Sequence, residues 1–401
     1  MIAGTKHADK VVRFLCENGT ATIQSLGEML ELSESSVSRL IKNMIDARLV
    51  QVSDSQARGP GRPVQVFRLN DSLAYAVGVE LGKTATRWTL INAIGHILKQ
   101  GEYPTRLPVT NAEFLDQLEH VVSLALDESN VPRDRISCIG VALHGFIDHE
   151  SASCVYCATM PGPRNIPVGP WMENRFGLPT IVLEEGRSVA FIESRLGSMR
   201  DIPNFITVTI GKSIGTGIVV NHQLYIGETS MAGHLAHISV DTTAPRCVCG
   251  ARGCVEMVAS CQAIIDSVAD SLERNALTSI TLDDRPLDME TIAKAGEEGD
   301  QLCYQALNRA GELIGIGIGT LSKVLNINRI VVYGTLPTMS TVFVDAVRRS
   351  AKLNVLPLVD PIISISSLPA HAVPQGAAFF ALNRHLAQKA TELVQPAGSG
   401  S

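Results

Sequence analysis

Apolar positions recur at helical spacing through HADKVVRFLCENG (7–19), and the run stops at Asn18-Gly19, a C-terminal helix signal. A polar break leads to TIQSLGEMLEL (22–32) and then to SESSVSRLIKNMIDARLV (33–50). From there the period changes to alternation, with VQVSD (50–54), a Gly/Pro loop and VQVFRLN (64–70). The order is helix, helix, turn, helix and two-strand wing. In the third helix Ser33 is a natural N-cap and Val37, Leu40, Ile41 and Met44 form the inward stripe. Ser35, Ser36, Ser38, Arg39 and Lys42 then face outward, and their hydroxyl and cationic groups suit base edges and phosphates in a major groove.

From about residue 75 onward, strands alternate with longer helical segments, the rhythm of an α/β protein. AYAVGVELGKTATRWTLINAIGHIL (74–98) and FITVTIGKSIGTGIVVNHQLYIG (205–227) repeat each other in outline as strand, glycine turn, strand, short turn, strand. This predicts two related lobes facing across a cleft. The glycine turns either expose backbone N–H groups to phosphate or close tight hairpins that need positive φ.

Charge sharpens the reading of the first segment. Residues 1–70 hold nine Lys/Arg and seven Asp/Glu, a net of +2, whereas the whole chain carries −6, so only this segment favours a polyanion. RGPGRP (58–63) in the wing loop places Arg58 and Arg62 among small neighbours, where either can enter a minor groove. A small helical protein-interaction domain is the alternative reading. The remaining 331 residues, with 45% hydrophobic residues in the chain as a whole, can bury sizeable cores. MIAGTKHADK has no secretory pattern and no stretch gives 18 unbroken apolar residues, so the expectation is a cytoplasmic protein without membrane insertion.

A reducing compartment favours metal ligation or burial over disulfides for the nine cysteines. Cys16, Cys138, Cys261 and Cys303 read as buried small hydrophobes, and Cys154 and Cys157 as buried thiols. HISVDTTAPRCVCGARGCVE (237–256) is different. His237, Cys247, Cys249 and Cys254 supply four N/S ligands, which fill a tetrahedral zinc shell and leave no position for a reactive water. Such a site is structural; the alternative is a cluster of thiols without a metal. A DNA-reading finger would need a paired-histidine helix or a second cysteine pair, and neither follows.

The segments VGVELGKT, TIGKSIGTG, AGHLAHISVD, RCVCGARGCVEMVAS, GIGIGTLSKVLNINRIVVYG and PQGAAFFAL together resemble the ROK family (repressors, open reading frames and kinases). The resemblance spans nearly the whole chain. It implies a winged helix-turn-helix over 1–70 and a two-lobed, actin-like (ribonuclease H-like) sugar kinase fold over 71–395. The first lobe would cover about 75–185 and the second about 186–380, with a C-terminal helix over about 374–394 and a flexible tail at 396–401. It also implies structural zinc on the four residues named, a loop from that site forming one wall of a sugar pocket, and sugar-hydroxyl contacts by Glu256 and His237.

Family kinases place their proton-accepting aspartate in a Glu-Asn-Asp-Ala-Asn run, which here reads Glu184-Glu185-Gly186-Arg187-Ser188, so the base has become Gly186. The Glu of the family's Gly-Glu-x-Gly-His is His234, and a sugar-binding Asn corresponds to Thr159. Glu185, His234 and Arg187 thus bring new polarity to an effector site that also includes Thr159, His237 and Glu256. The phosphate loops have become GKT (82–84) and GKS (211–213). The expectation is therefore no enzyme but a sugar-responsive repressor that binds double-stranded operator DNA as a dimer or tetramer, with a sugar or sugar phosphate as effector. An active sugar kinase, or a regulator that answers to a protein partner, are the alternatives.

Overall fold

The computed structural model describes residues 7–56, 64–107, 110–157, 160, 162–281 and 286–393. Arg58, Arg62 and Thr159 lie outside the described residues. The N-terminal head comprises α1 (Ala8–Asn18), β1 (Ala21–Thr22), α2 (Ile23–Leu30), α3 (Glu34–Asp46), β2 (Val50–Gln56) and β3 (Val64–Leu69). Thr22 and Ser25 form a reciprocal capping box that starts α2, and the Ser33 hydroxyl accepts from the Ser36 N–H to start α3. Val37, Leu40, Ile41 and Met44 are buried as their spacing predicts. The wing gains a third strand, in the order β1-β3-β2, through a two-residue segment too short to read from alternation.

The first lobe continues with β4 (Tyr75–Leu81), β5 (Ala85–Asn92), β6 (Ile97–Pro104), α4 (Asn111–Asp127) and β7 (Ile136–Leu143). A small sheet of β8 (Gly145–Asp148), β9 (Ser153–Cys157) and β10 (Arg164–Ile166) precedes α5 (Val168–Phe176), β11 (Thr180–Glu184) and α6 (Glu185–Arg195). The second lobe holds β12 (Phe205–Ile210), β13 (Ile214–Val220), β14 (Gln223–Leu224), α7 (Val255–Ala259), α8 (Cys261–Glu273), α9 (Met289–Glu297) and α10 (Gln301–Leu325). It ends with β15 (Arg329–Tyr333), α11 (Thr335–Met339), α12 (Thr341–Leu353) and β16 (Ile362–Ile365), and α13 (Ala372–Leu393) closes the described chain.

The internal repeat extends to topology. The first sheet runs β11-β7-β4-β5-β6 and the second β16-β15-β12-β13-β14; in each, an antiparallel meander is joined to two parallel strands. Cys16, Cys138, Cys154, Cys157, Cys261 and Cys303 are all buried.

Two features depart from the sequence reading. The C-terminal helix starts at Ala372 and packs on β4, β5 and β7, so the region up to residue 380 is not all second lobe. The glycine turns are hairpins without positive φ at 82–84 or 211–213. The Gly82 N–H donates to Ala85 O and the Gly211 N–H to Ser213 O, so each turn is closed by its own backbone hydrogen bond.

The head is not tethered by a loose linker. Val11, Val12 and Leu15 of α1, Leu40 and Met44 of α3 and Phe67 of β3 share one apolar core with Ala76, Cys138, Phe191, Ile192, Phe379 and Leu382. The second lobe has a separate core running from Ile206 to Ile363. No helix among the described residues is long and apolar enough to cross a membrane.

Candidate functional site: a cleft beside a cysteine cluster

The metal-ligand candidates come together as expected. One ligand atom each from His237, Cys247, Cys249 and Cys254 lies within 4.8 Å of the others. Cys247 Sγ is 3.4 Å from His237 Nδ1, and Cys249 Sγ is 3.5 Å from Cys254 Sγ. The loop can turn this sharply because of Gly253, at φ +64°, where an added Cβ would stand 1.5 Å from Asp241 O. Three thiols and an imidazole converging from 18 residues of chain form a donor set that could hold a soft divalent metal.

Cys254 also stands at the N-cap position of α7, directly before the helix whose first turn carries Glu256. That carboxylate crosses to the second-lobe sheet, where Glu256 Oε2 accepts the Ile214 N–H at 2.7 Å. Burial pushes its pKa up to about 7 against the opposing pull of that N–H and of His144.

Beside it lies a cavity of about 220 Å³, lined by residues of both lobes, among them His144, Glu184, Glu185, Gly186, Arg187, Ser213, Thr216, His234, His237 and Glu256. The expected effector residues Glu185, His234, His237 and Glu256 therefore do meet. The cavity opens where β7 and β11 end, the crevice at strand C-termini where α/β folds place ligands.

Sequence reasoning missed His144. Its ring stands between two carboxylates, with Nδ1 2.8 Å from Glu185 Oε2 and Nε2 3.5 Å from Glu80 Oε1. Burial opposes its charge, but Glu185 and then Glu80 outweigh burial and raise its pKa well above the ordinary histidine value. Nδ1 also lies 3.1 Å from Ser213 Oγ of the second lobe, while Glu185 accepts from Thr209 Oγ1 at 3.4 Å. The signal for it was its position, the first residue after the buried strand ISCIGVAL.

Arg187 is 2% exposed and sits on the first turn of α6. Nη1 meets Glu184 Oε2 at 3.1 Å and His149 Nε2 at 2.6 Å; Nη2 donates to Ser230 O at 2.7 Å and Ala232 O at 3.1 Å. It thereby pins the second-lobe loop before His234 to α6. At Gly186 a Cβ would lie 2.3 Å from Thr216 N and 2.8 Å from Gly215 C, so strand β13 leaves no room for any side chain there.

Residues 76–384 match the ROK family. The chain belongs to the ROK family. Residues 11–59 of this ROK protein match the MarR family, which covers most of the head. The chain is 27% identical over 343 residues to the DNA-binding transcriptional dual regulator NagC of Escherichia coli K12, covering 84% of this chain and 82% of that protein. It is 24% identical over 322 residues to the xylose repressor of Bacillus subtilis 168, covering 79% and 78% respectively. Among solved structures, a ROK family transcriptional regulator described as a homolog of the E. coli MLC protein superposes with TM-score 0.79 at 23% identity, over 98% of this chain and 100% of that one. A ROK family glucokinase from Streptomyces griseus, solved with glucose and AMPPNP, gives 0.65 at 23% identity over 76% and 98%. The fold is thus the two-lobed ROK fold with a helix-turn-helix head.

On that head Ser35, Ser38, Arg39 and Lys42 are exposed on α3. Ser36 is half-buried, its hydroxyl 3.0 Å from that of Ser33.

Proposed function

We propose that this ROK protein is a cytoplasmic transcriptional repressor that binds operator DNA and senses a monosaccharide in a cleft that has lost its kinase chemistry. Ser35, Ser38, Arg39 and Lys42 of α3 read or position the major groove, Arg58 and Arg62 of the wing reach the minor groove, and Ser36 serves mainly the helix cap. Two-fold operators favour a dimer or tetramer. Zinc fills the His237–Cys247–Cys249–Cys254 site as a closed four-ligand staple that holds α7 and the pocket wall. Glu185, His234, His237 and Glu256 form the effector site, with Thr159 as a further sequence candidate. The name of one relative, the xylose repressor, supports a sugar as effector class.

The observation that carries the loss of catalysis is the packing at Gly186. A proton acceptor there is absent in chemistry and excluded in space, because β13 occupies the volume a carboxylate would need. Loss of a general base costs about 10²–10⁴-fold in rate.

Coupling from cleft to DNA runs along α6, about 16 Å for its 11 residues. Its first turn carries Glu185, Gly186 and Arg187 into the cavity. Farther along, Phe191 packs edge-on against Phe379 and Phe380 of α13 within the core shared with the head. The charge of Arg195, at its last turn, is felt by Cys16 of α1, whose raised pKa it opposes.

The test pairs two assays on the zinc-loaded full chain: ATP-dependent phosphoryl transfer to glucose, N-acetylglucosamine and xylose, and binding to duplexes selected from a random library. The expected result is selective DNA binding without sugar phosphorylation. Turnover at rates ordinary for a sugar kinase would overturn the reading.

A further inference from the structure

The polar atoms of the cleft point to the charge of the effector. We propose that the cavity takes an uncharged sugar and excludes that sugar's phosphate ester; the inference rests on reading the cavity as the sensor. Among the described residues, Glu184 Oε1, Thr216 Oγ1 and His234 Nε2 are buried without a hydrogen-bond partner, and all three residues line the cavity. A buried orphan polar atom is costly, so a ligand that satisfies these atoms gains binding energy from them. A carboxylate oxygen only accepts, a hydroxyl does either, and an imidazole nitrogen does one or the other according to tautomer. Sugar hydroxyls both donate and accept, which matches this set. The oxygens of a phosphate ester dianion only accept, so the phosphate group itself cannot satisfy the Glu184 oxygen and gives up the donor hydroxyl it replaces.

Charge gives the same answer independently. The basic side chains lining the cavity are His144, Arg187, His234 and His237. The Arg187 guanidinium is buried and engaged by Glu184, His149 and two carbonyls, so it cannot turn to a ligand without giving up its ion pair with Glu184, which would keep only His149, and two carbonyl hydrogen bonds. His144 is held between Glu80 and Glu185. His237 belongs to the metal staple, and His234 lies edge-on to Phe146 with ring centroids 5.1 Å apart. Against these stand the lining carboxylates Glu184 and Glu185, with Glu80 behind them. A dianion entering this space meets like charge at close range with no mobile cation to offset it. The volume of about 220 Å³ lies below the roughly 300–1,000 Å³ of sites for drug-sized ligands, so the room is that of a small ligand. Lys83 and Lys212, on the two glycine turns, stand outside the lining.

The test is calorimetry on the zinc-loaded full chain with glucose, N-acetylglucosamine and xylose, the 6-phosphates of the two hexoses, and inorganic phosphate as a control. For a hexose that binds, its 6-phosphate should bind weaker by at least about tenfold, as like-charge contacts imply, and inorganic phosphate should not compete. Thr216→Val, which deletes an orphan hydroxyl, should keep the melting temperature and weaken the sugar. An ester that binds as tightly as its parent sugar, or more tightly, overturns the inference and leaves the sensor reading intact; loss of that binding in a Lys83→Ala/Lys212→Ala double variant would place the phosphate on the rim. If neither sugars nor esters bind, the sensor reading fails and this inference falls with it.

Discussion

The head and the second lobe join the first lobe in opposite ways. The head shares a continuous apolar core with the first sheet, α6 and α13, so α1 and α13 move together. The second lobe keeps its own core and meets the first through smaller contacts: the Ala190–Phe205–Val219 cluster, the Ala142–Val189–Tyr333–Val373–Ala377 cluster, and the polar bridge around His144. The first junction is one continuous apolar core; the second is divided among small apolar clusters and polar pairs along the face where α6 packs on β12 and β13. Under the proposed function, a signal from the cleft would be a movement of the second lobe against a unit made of first lobe and head, with α6 packed against both.

Removing the proposed metal staple gives the largest expected effect. Cys254→Ser should lower the second lobe's thermal transition by roughly 10 °C or more, since a structural ion contributes folding energy directly and each kcal/mol is about 2–4 °C in a unit of this size. Scanning calorimetry should then resolve two transitions, with that of the head and first lobe unmoved. A single transition shifted as a whole would show that the two cores unfold as one.

Phe191→Ala strikes the opposite junction. A buried Phe→Ala change costs about 3–5 kcal/mol, and here the loss should fall on the transition of the head and first lobe. The surviving protein should bind DNA but show a weakened response to sugar. Gly186→Asp sharpens the catalytic side of the contrast: with the added side chain driven into β13, it should lose about 1–3 kcal/mol, the usual cost of overpacking, and gain no phosphorylation.

How far the sequence carried these points follows from the range of the interactions involved. Caps, stripes and the His/Cys cluster are encoded within about 20 residues, and Ser33, Met44 and Cys254 stand where their local pattern places them. The return of α13 to the first sheet depends on contacts across some 280 residues, such as Gln375 Nε2 donating to Gly95 O, and no periodicity announces it. For His144 the only local signal was its place at the end of a buried strand; its partners, Glu80 and Glu185, lie on two other elements and no local pattern announces them. The Gly186 substitution could be read from the sequence, but the absence of space around it could not.

His144→Gln tests the polar bridge between the lobes. The folded pKa of His144 is raised, so the stability it contributes is fully present below the unfolded value near 6.5 and is lost as pH rises through the folded value. The parent should therefore weaken on going from neutral to alkaline pH, and the variant should show a flatter slope there in denaturant titrations. Identical slopes would remove His144 from the lobe contact. The smallest expected change is Lys42→Ala, which should weaken operator binding evenly across sequences and reduce the salt slope by about 1. Arg39→Ala, by contrast, should relax sequence preference.

Operator affinity, measured with and without a saturating sugar that calorimetry has shown to bind, tests the central claim most directly. Coupling through α6 predicts at least about a fivefold change in the operator dissociation constant, matched by an equal change in sugar affinity when operator is present. The change should shrink in Phe191→Ala. An operator affinity that stays the same with the cleft filled would contradict the account.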